Sequence, residues 1–159
     1  MIRKDRQIKD VMALKGLLDA CNVMHIGLSS DNGDPYVVPV SFGYKWDAAL
    51  PSLYFHGASV GQKSSLLVNG ARVCVEFDRF IRYDELQHGI TARYQSLVGY
   101  GSVDVLTSYT DKAAALSYIC LHCGYKKFNP TSCESLSDVM VWRINLDHLD
   151  GKQNLRSLS

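Results

Sequence analysis

Apolar and polar positions fall into distinct rhythms along this chain. Residues 6–21, "RQIKDVMALKGLLDAC", place Ile8, Val11, Met12, Leu14, Leu17, Leu18 and Cys21 at helical spacing, so the pattern predicts an amphipathic first helix with one face on a core. Asp5 is placed to cap it and Asn22 to stop it. Strand-like text follows in "VMHIGLSS" and "PYVVPVSFGYKW", joined at Asp31–Asp34, where Asn32 and Gly33 tolerate the positive φ of a tight hairpin. Pro39 inside the second run marks an edge, a bulge or the end of pairing. "LYFH" is a further short strand, and "GQKSSLLVNG" a short helix closed by Asn69 and Gly70.

"ARVCVEFD" alternates, with Val73, Val75 and Phe77 on one face and Arg72, Cys74 and Glu76 on the other. A less regular stretch leads into "RYQSLVGYGSVDVL", a long strand whose Gly99 and Gly101 predict a bend or bulge. "TDKAAALSYICLHC" is helical and "VMVWRINLDHL" is the last strand. Parallel α/β folds alternate strand and helix, whereas these strands come in blocks joined by hairpins. The expected fold is therefore mainly β with flanking helices: antiparallel strands, bent by glycines, curled into a small barrel. Neither an internal repeat nor a low-complexity linker divides residues 1–159, so one domain is expected.

Composition narrows the function classes. The 159 residues are 47% hydrophobic and 21% charged, with a formal net charge of +1, a globular balance without the basic face of a nucleic-acid binder. No apolar run reaches membrane-spanning length and the first residues are too charged for a signal-peptide core. Five cysteines (Cys21, Cys74, Cys120, Cys123, Cys133) are an odd number, which suits a reducing compartment, and a cytoplasmic location is expected.

The chemistry gathers around "LYFHGASVGQKSSLL". A period of two puts Tyr54 and His56 on one strand face and Leu53 and Phe55 on the other, so His56 points outward or into a cleft if Leu53 and Phe55 point inward. The following turn offers Ser59, Gly61, Lys63 and Ser64 at the start of a helix, the ingredients of an anion cradle. The same residues also fit ordinary helix capping beside a solvated lysine. "CLHCGYKKFNPTSC" gathers Cys120, His122, Cys123 and Cys133, but a closed zinc site needs a second ligand pair that the sequence lacks. No metal is expected. His25 and His88 have no partner legible in sequence, and Glu76 and Asp78 read as the solvent side of their strand.

Taken together and in order, "YVVPVSFGYKWD", "LYFHGASVGQKSSLL", "ARVCVEFD" and "YQSLVGYGSVDVL" resemble the FMN-binding split-barrel proteins. The resemblance is to the nitroimidazole-resistance (Nim-type) branch of the pyridoxamine 5'-phosphate oxidase-like superfamily, from about residue 3 to about residue 152. It implies a homodimer with FMN at the subunit interface, against the outside of the barrel. Val38, Pro39, Val40, Ser41 and Phe42 would run beside the flavin ring, with Val38 and Val40 giving apolar contact. Lys63 would hold the phosphate, with Gly61 and Gln62 beside it, and His56 would lie nearest the chemistry as the catalytic candidate. Ser96 and Val98 would line the cleft, and Trp142 and Arg143 would approach from the partner subunit.

The implied activity is an FMN-dependent oxidoreductase passing electrons from a small-molecule donor to an electrophilic acceptor, such as a nitroaromatic. A non-catalytic flavin store and a haem-binding split barrel are the alternatives. Two departures matter. The phosphate oxidases carry an Arg-x-His motif near the C-terminus, whereas Arg143 and His148 stand five apart here. Gly61 also stands where many relatives place an arginine two residues before the lysine.

Overall fold

The computed structural model describes residues 3–30, 32–127, 129–130, 136 and 138–155. Its elements run β1 (Gln7–Ile8), α1 (Val11–Ala20), β2 (Met24–Ser29), β3 (Pro35–Val40), β4 (Gly43–Lys45), β5 (Ser52–Gly57), α2 (Gln62–Leu66), β6 (Arg72–Leu86), β7 (Gly89–Leu106), α3 (Tyr109–His122) and β8 (Met140–Gln153). The strands form one antiparallel sheet in the order β3-β2-β6-β7-β8-β5-β4, with β1 alongside β8. The two end strands, β3 and β4, are separated in sequence by Ser41 and Phe42 alone. So short a connection reaches about 10 Å, and the sheet must roll until its ends meet without pairing. That is a split barrel, as the strand blocks predict.

Lateral pairing fixes which residues face inward. Ile26 lies between Val38 and Val75, and Val75 opposite Gly99. These positions and the buried Phe77, Leu97, Leu53, Phe55, Trp142 and Ile144 fill the barrel, closed from one side by Leu17 and Leu18 of α1. A second apolar cluster lies outside the barrel wall, where Ala115, Leu116 and Ile119 of α3 cover Tyr54 and Val141. Gly43 permits that docking. A β-carbon there would sit 2.4 Å from the backbone of Tyr118 and Ile119, so no side chain fits without moving the helix.

Three sequence expectations shift. The first helix starts at Val11, capped by Asp10, whose side chain accepts from the Met12 N–H at 3.1 Å, and not by Asp5. Gln7 and Ile8 are engaged by Lys152 and Gly151 of β8, so a helix cannot begin before them. The run "PYVVPVSFGYKW" is two strands, broken at Ser41–Phe42. The less regular stretch after Asp78 is one continuous hairpin, with β6 and β7 paired from Arg72↔Ser102 to Leu86↔Gly89 and one bulge near Ile81. From Arg79 to Ile90 nearly every residue is exposed, so no hydrophobic alternation marks this stretch. Other expectations hold: Pro39 lies on an end strand of the sheet, Gly33 has φ +86°, and the register of β7 against β8 shifts between Tyr100 and Gly101. Asp31, the first residue of the predicted turn, lies outside the described residues.

Candidate functional site

On β5, Leu53 and Phe55 are fully buried and Tyr54 and His56 take the other face. Tyr54 is covered by α3, with its ring stacked on Tyr118 at 5.1 Å between centroids. His56, level with Val141 and Leu106 through the ladder, is exposed. After it the chain turns at Gly61, whose φ of +129° favours glycine, and enters α2. The Ser64 hydroxyl donates to the Gly61 carbonyl at 2.8 Å and Ser65 to Gln62 at 2.9 Å. Ser64, a candidate anion donor by sequence, spends its hydroxyl proton on that carbonyl.

Lys63 folds back over the end of β5. Its ammonium lies 5.9 Å from the centroid of the Trp142 ring and 2.6 Å from where a β-carbon on Gly57 would be. Among the described residues no carboxylate lies within ion-pair distance of it. His56 feels this charge. Its pKa is pushed below the ordinary imidazole value, first by desolvation from the protein around the ring and then by Lys63. Two basic side chains thus share one open corner.

The other predicted site residues divide by face. Pro39 and Ser41 are exposed, whereas Val40 and Phe42 are buried. Phe42 packs at a tilt against Phe77, 4.9 Å between ring centroids, and His122, at 4.4 Å, and Val38 packs on the barrel core. Strand alternation turns Val38 and Val40 toward the barrel, so the surface of this segment consists of Pro39, Ser41 and the unpaired backbone edge of β3.

Ser96 and Val98 do point outward. They lie in rows with Asp78 and Lys152, and with Glu76 and Asp150. The β7 residue level with His56 is Leu106, eight positions beyond Val98, about 26 Å along an extended strand. One chain therefore does not bring Ser96 and Val98 to the His56–Lys63 corner.

Trp142, which the resemblance brings toward the flavin from the partner subunit, lies in the core of its own barrel. It is fully buried, stacked on Phe55 at 5.2 Å, with its indole N–H donating to Leu67 at 2.9 Å. It is the floor under Lys63 and has no surface to present to a partner's ligand. Alternation in "VMVWRINL" carried the signal, since Met140, Trp142 and Ile144 share a phase opposite to Arg143 and Asn145. Arg143 is bound to Asp104 at 2.7 Å, joined by Asn145 on the same carboxylate oxygen.

Sequence reading missed the partner of His25. Its Nδ1 lies 3.2 Å from Glu76 on the outer face, with exposed Asp78 close by, and β2–β6 pairing makes the contact. In the predicted zinc alternative, His122 bonds the Cys21 carbonyl at 2.8 Å, and Cys133 lies outside the described residues. A groove of about 480 Å³ lies elsewhere, between α1, β4 and α3. Two of its polar groups are committed: the Tyr44 hydroxyl donates to Asp19 and His122 is bonded as above.

This rolled antiparallel sheet belongs to a known class. The family model of pyridoxamine 5'-phosphate oxidase matches residues 10–153, and the chain belongs to that family. Among solved structures it is similar to a candidate 5-nitroimidazole antibiotic resistance protein from Bacteroides thetaiotaomicron, with 26% identity over 92% of this chain and 86% of the other, at a TM-score of 0.78. It shares its fold with an FAD- and haem-binding protein from Mycobacterium smegmatis (18% identity, 95% and 74% coverage, TM-score 0.79). The flavocytochrome Anf3 from Azotobacter vinelandii is a third such structure (18% identity, 98% and 72% coverage, TM-score 0.77). No curated protein matches the sequence. The resemblance read from the sequence, to the nitroimidazole-resistance branch of this superfamily, is borne out by the family match and these neighbours.

Proposed function

We propose that this protein is an FMN-dependent oxidoreductase, working as a homodimer in the cytoplasm on a small electrophilic acceptor, with nitroaromatic compounds as the first class to test. The observation that carries this reading is the Lys63 ammonium, unpaired among the described residues, at the end of β5 where its charge is felt by His56, in a barrel of this family. A phosphate dianion needs such a charge, and a flat ring needs an apolar slot with backbone donors at its polar edge. Pro39, Ser41 and the open edge of β3 fit the second requirement. When bound, FMN supplies the two-electron chemistry, accepting hydride from a nicotinamide or similar donor and passing it to the acceptor.

The chain's own residues bind, orient and manage protons. Lys63 neutralises phosphate charge. The pKa of His56 lies below the ordinary imidazole value, first through desolvation and then through Lys63, and a phosphate on Lys63 would offset the second cause. That makes its imidazole the group to hold or deliver a proton beside the ring. Ser96 and Val98, remote from His56 in one chain, would join the site only from a second copy of the chain. No helix among the described residues is long and apolar enough to cross a membrane.

The test is the visible spectrum of the purified protein before and after loading with FMN and desalting. Flavin retained at about one per chain supports the proposal. A Soret band would move the protein to haem binding, and retention of neither chromophore would end the enzyme reading. With flavin bound, faster re-oxidation on adding a nitroaromatic separates an enzyme from a flavin store. Lys63→Ala should weaken FMN binding by about ten-fold or more, the scale of a hydrogen bond to a charged group. His56→Ala should instead lower turnover with little loss of binding.

A further inference from the structure

We infer that Gly57 and Trp142 are positioning residues for Lys63: the absent β-carbon at 57 and the indole at 142 together hold the ammonium at the mouth of β5. The inference deepens the reading of Lys63 as a phosphate ligand and rests on it. An ideal β-carbon on Gly57 falls 2.6 Å from Lys63 Nζ, 3.1 Å from its Cε and 3.4 Å from Cζ3 of Trp142. The lysine tip thus occupies the volume that any other residue at 57 would fill.

The backbone does not demand glycine there. Gly57 pairs with Met140 in β5 and is not among the glycines with positive φ. What remains is space, and Lys63 takes it.

Trp142 acts from below and behind. Its ring is held parallel to Phe55, at 12° and 5.2 Å, and gives the ammonium an aromatic face at 5.9 Å. Its N–H donates to the carbonyl of Leu67 at 2.9 Å, and the Leu67 N–H donates in turn to the Lys63 carbonyl at 3.1 Å. One side chain therefore anchors both the surface on which Lys63 rests and the short helix that carries it. A lysine free in solvent loses several rotamers on binding an anion, whereas this one is already folded back with its charge unspent on any described carboxylate. Such pre-organisation strengthens binding without adding a contact.

A double-mutant cycle on the whole chain tests this, using wild type, Gly57→Ala, Lys63→Ala and the double variant. FMN affinity is read by flavin fluorescence, and the His56 titration by NMR without flavin. A methyl group at 57 displaces the flexible lysine tip and not backbone, so the fold should persist. Gly57→Ala should lower FMN affinity about three- to ten-fold and move the His56 midpoint upward, toward its value in Lys63→Ala. In the Lys63→Ala background the same change should do neither, because its route of action is gone.

An equal affinity loss in both backgrounds, or an unmoved His56 midpoint in Gly57→Ala, overturns the positioning role. If Lys63→Ala binds FMN like wild type, the phosphate reading fails instead, and the His56 midpoint still reports whether Gly57 places Lys63. Trp142→Phe is the independent second arm. It keeps an aromatic floor, drops the bond to Leu67, and should shift the His56 midpoint in the same direction; no shift removes Trp142 from the inference.

Discussion

The corner where β5 meets β8 and the outer half of the β6–β7 hairpin both carry aromatic residues, and they place them in opposite ways. At the corner, Trp142 and Phe55 are fully buried and stacked, with the Lys63 ammonium over the indole ring. On the hairpin, Phe80, Tyr83 and Ile90 are 54%, 69% and 71% exposed. Each region has a salt-sensitive polar part, but only the corner fixes its charged group on a packed surface. The hairpin depends on the backbone ladder and on Asp84 held between Arg82 and Arg93. A site that needs a charge held within tenths of an ångström belongs on the first kind of support.

The sharpest way to break this contrast is to remove one aromatic from each region. Trp142→Ala should cost about 3–5 kcal/mol, since it opens a cavity and strands the Leu67 carbonyl. Tyr83→Ala should stay within about 0.5 kcal/mol, as exposed positions do. Urea unfolding of the two variants decides it. Equal losses would mean that the hairpin is covered in solution, and a small loss for Trp142→Ala would mean that the corner is not the rigid support described.

The same contrast explains what could be read in the sequence. Where one strand face is buried, alternation speaks: "LYFH" assigned Leu53 and Phe55 inward and His56 outward, and "ARVCVEFD" was assigned correctly. The phase of Trp142 was equally legible in "VMVWRINL", yet the expectation from family resemblance ran against it, and the buried indole follows the alternation. Where both faces meet solvent, as from Arg79 to Ile90, no period exists to read and the hairpin looked irregular. Contacts between residues distant in sequence left no local trace: Gln7 and Ile8 against Gly151 and Lys152, His25 against Glu76, and Lys63 against Gly57. Such contacts moved the start of the first helix and hid the role of Gly57.

A smaller effect sharpens the corner's electrostatics. His56 has its pKa lowered by burial and by Lys63, so the unfolded chain binds the proton more readily than the folded one. Stability should therefore rise with pH through this window. It is lost as pH falls from above the unfolded value of about 6.5 to below the folded one. Lys63→Ala should lift the folded midpoint and flatten that dependence, as measured by His56 NMR titration and by melting temperature against pH. An unchanged midpoint in the variant would separate the two side chains in solution and dissolve the basic corner.

The smallest effect belongs to the hairpin. The guanidinium groups of Arg82 and then Arg93 hold the Asp84 carboxyl down to about 2, below the unfolded value of about 3.9. The sign is opposite to that of His56 in origin but the same in direction. A depressed carboxylate stabilises the fold above the unfolded pKa, and its contribution disappears as pH falls through the folded value. Asp84→Asn should lose the ion pairs at neutral pH, with a shift in melting temperature smaller than that from Trp142→Ala, because the exposed Arg82 partner is screened by water and salt and only the half-buried Arg93 contact is lost in full. Its acid side should be shallower than that of wild type, and hydrogen exchange should quicken at the hairpin amides alone. Exchange that quickens at β5 as well would show the two regions to be coupled, and the division between a rigid corner and a ladder-held hairpin would then be wrong.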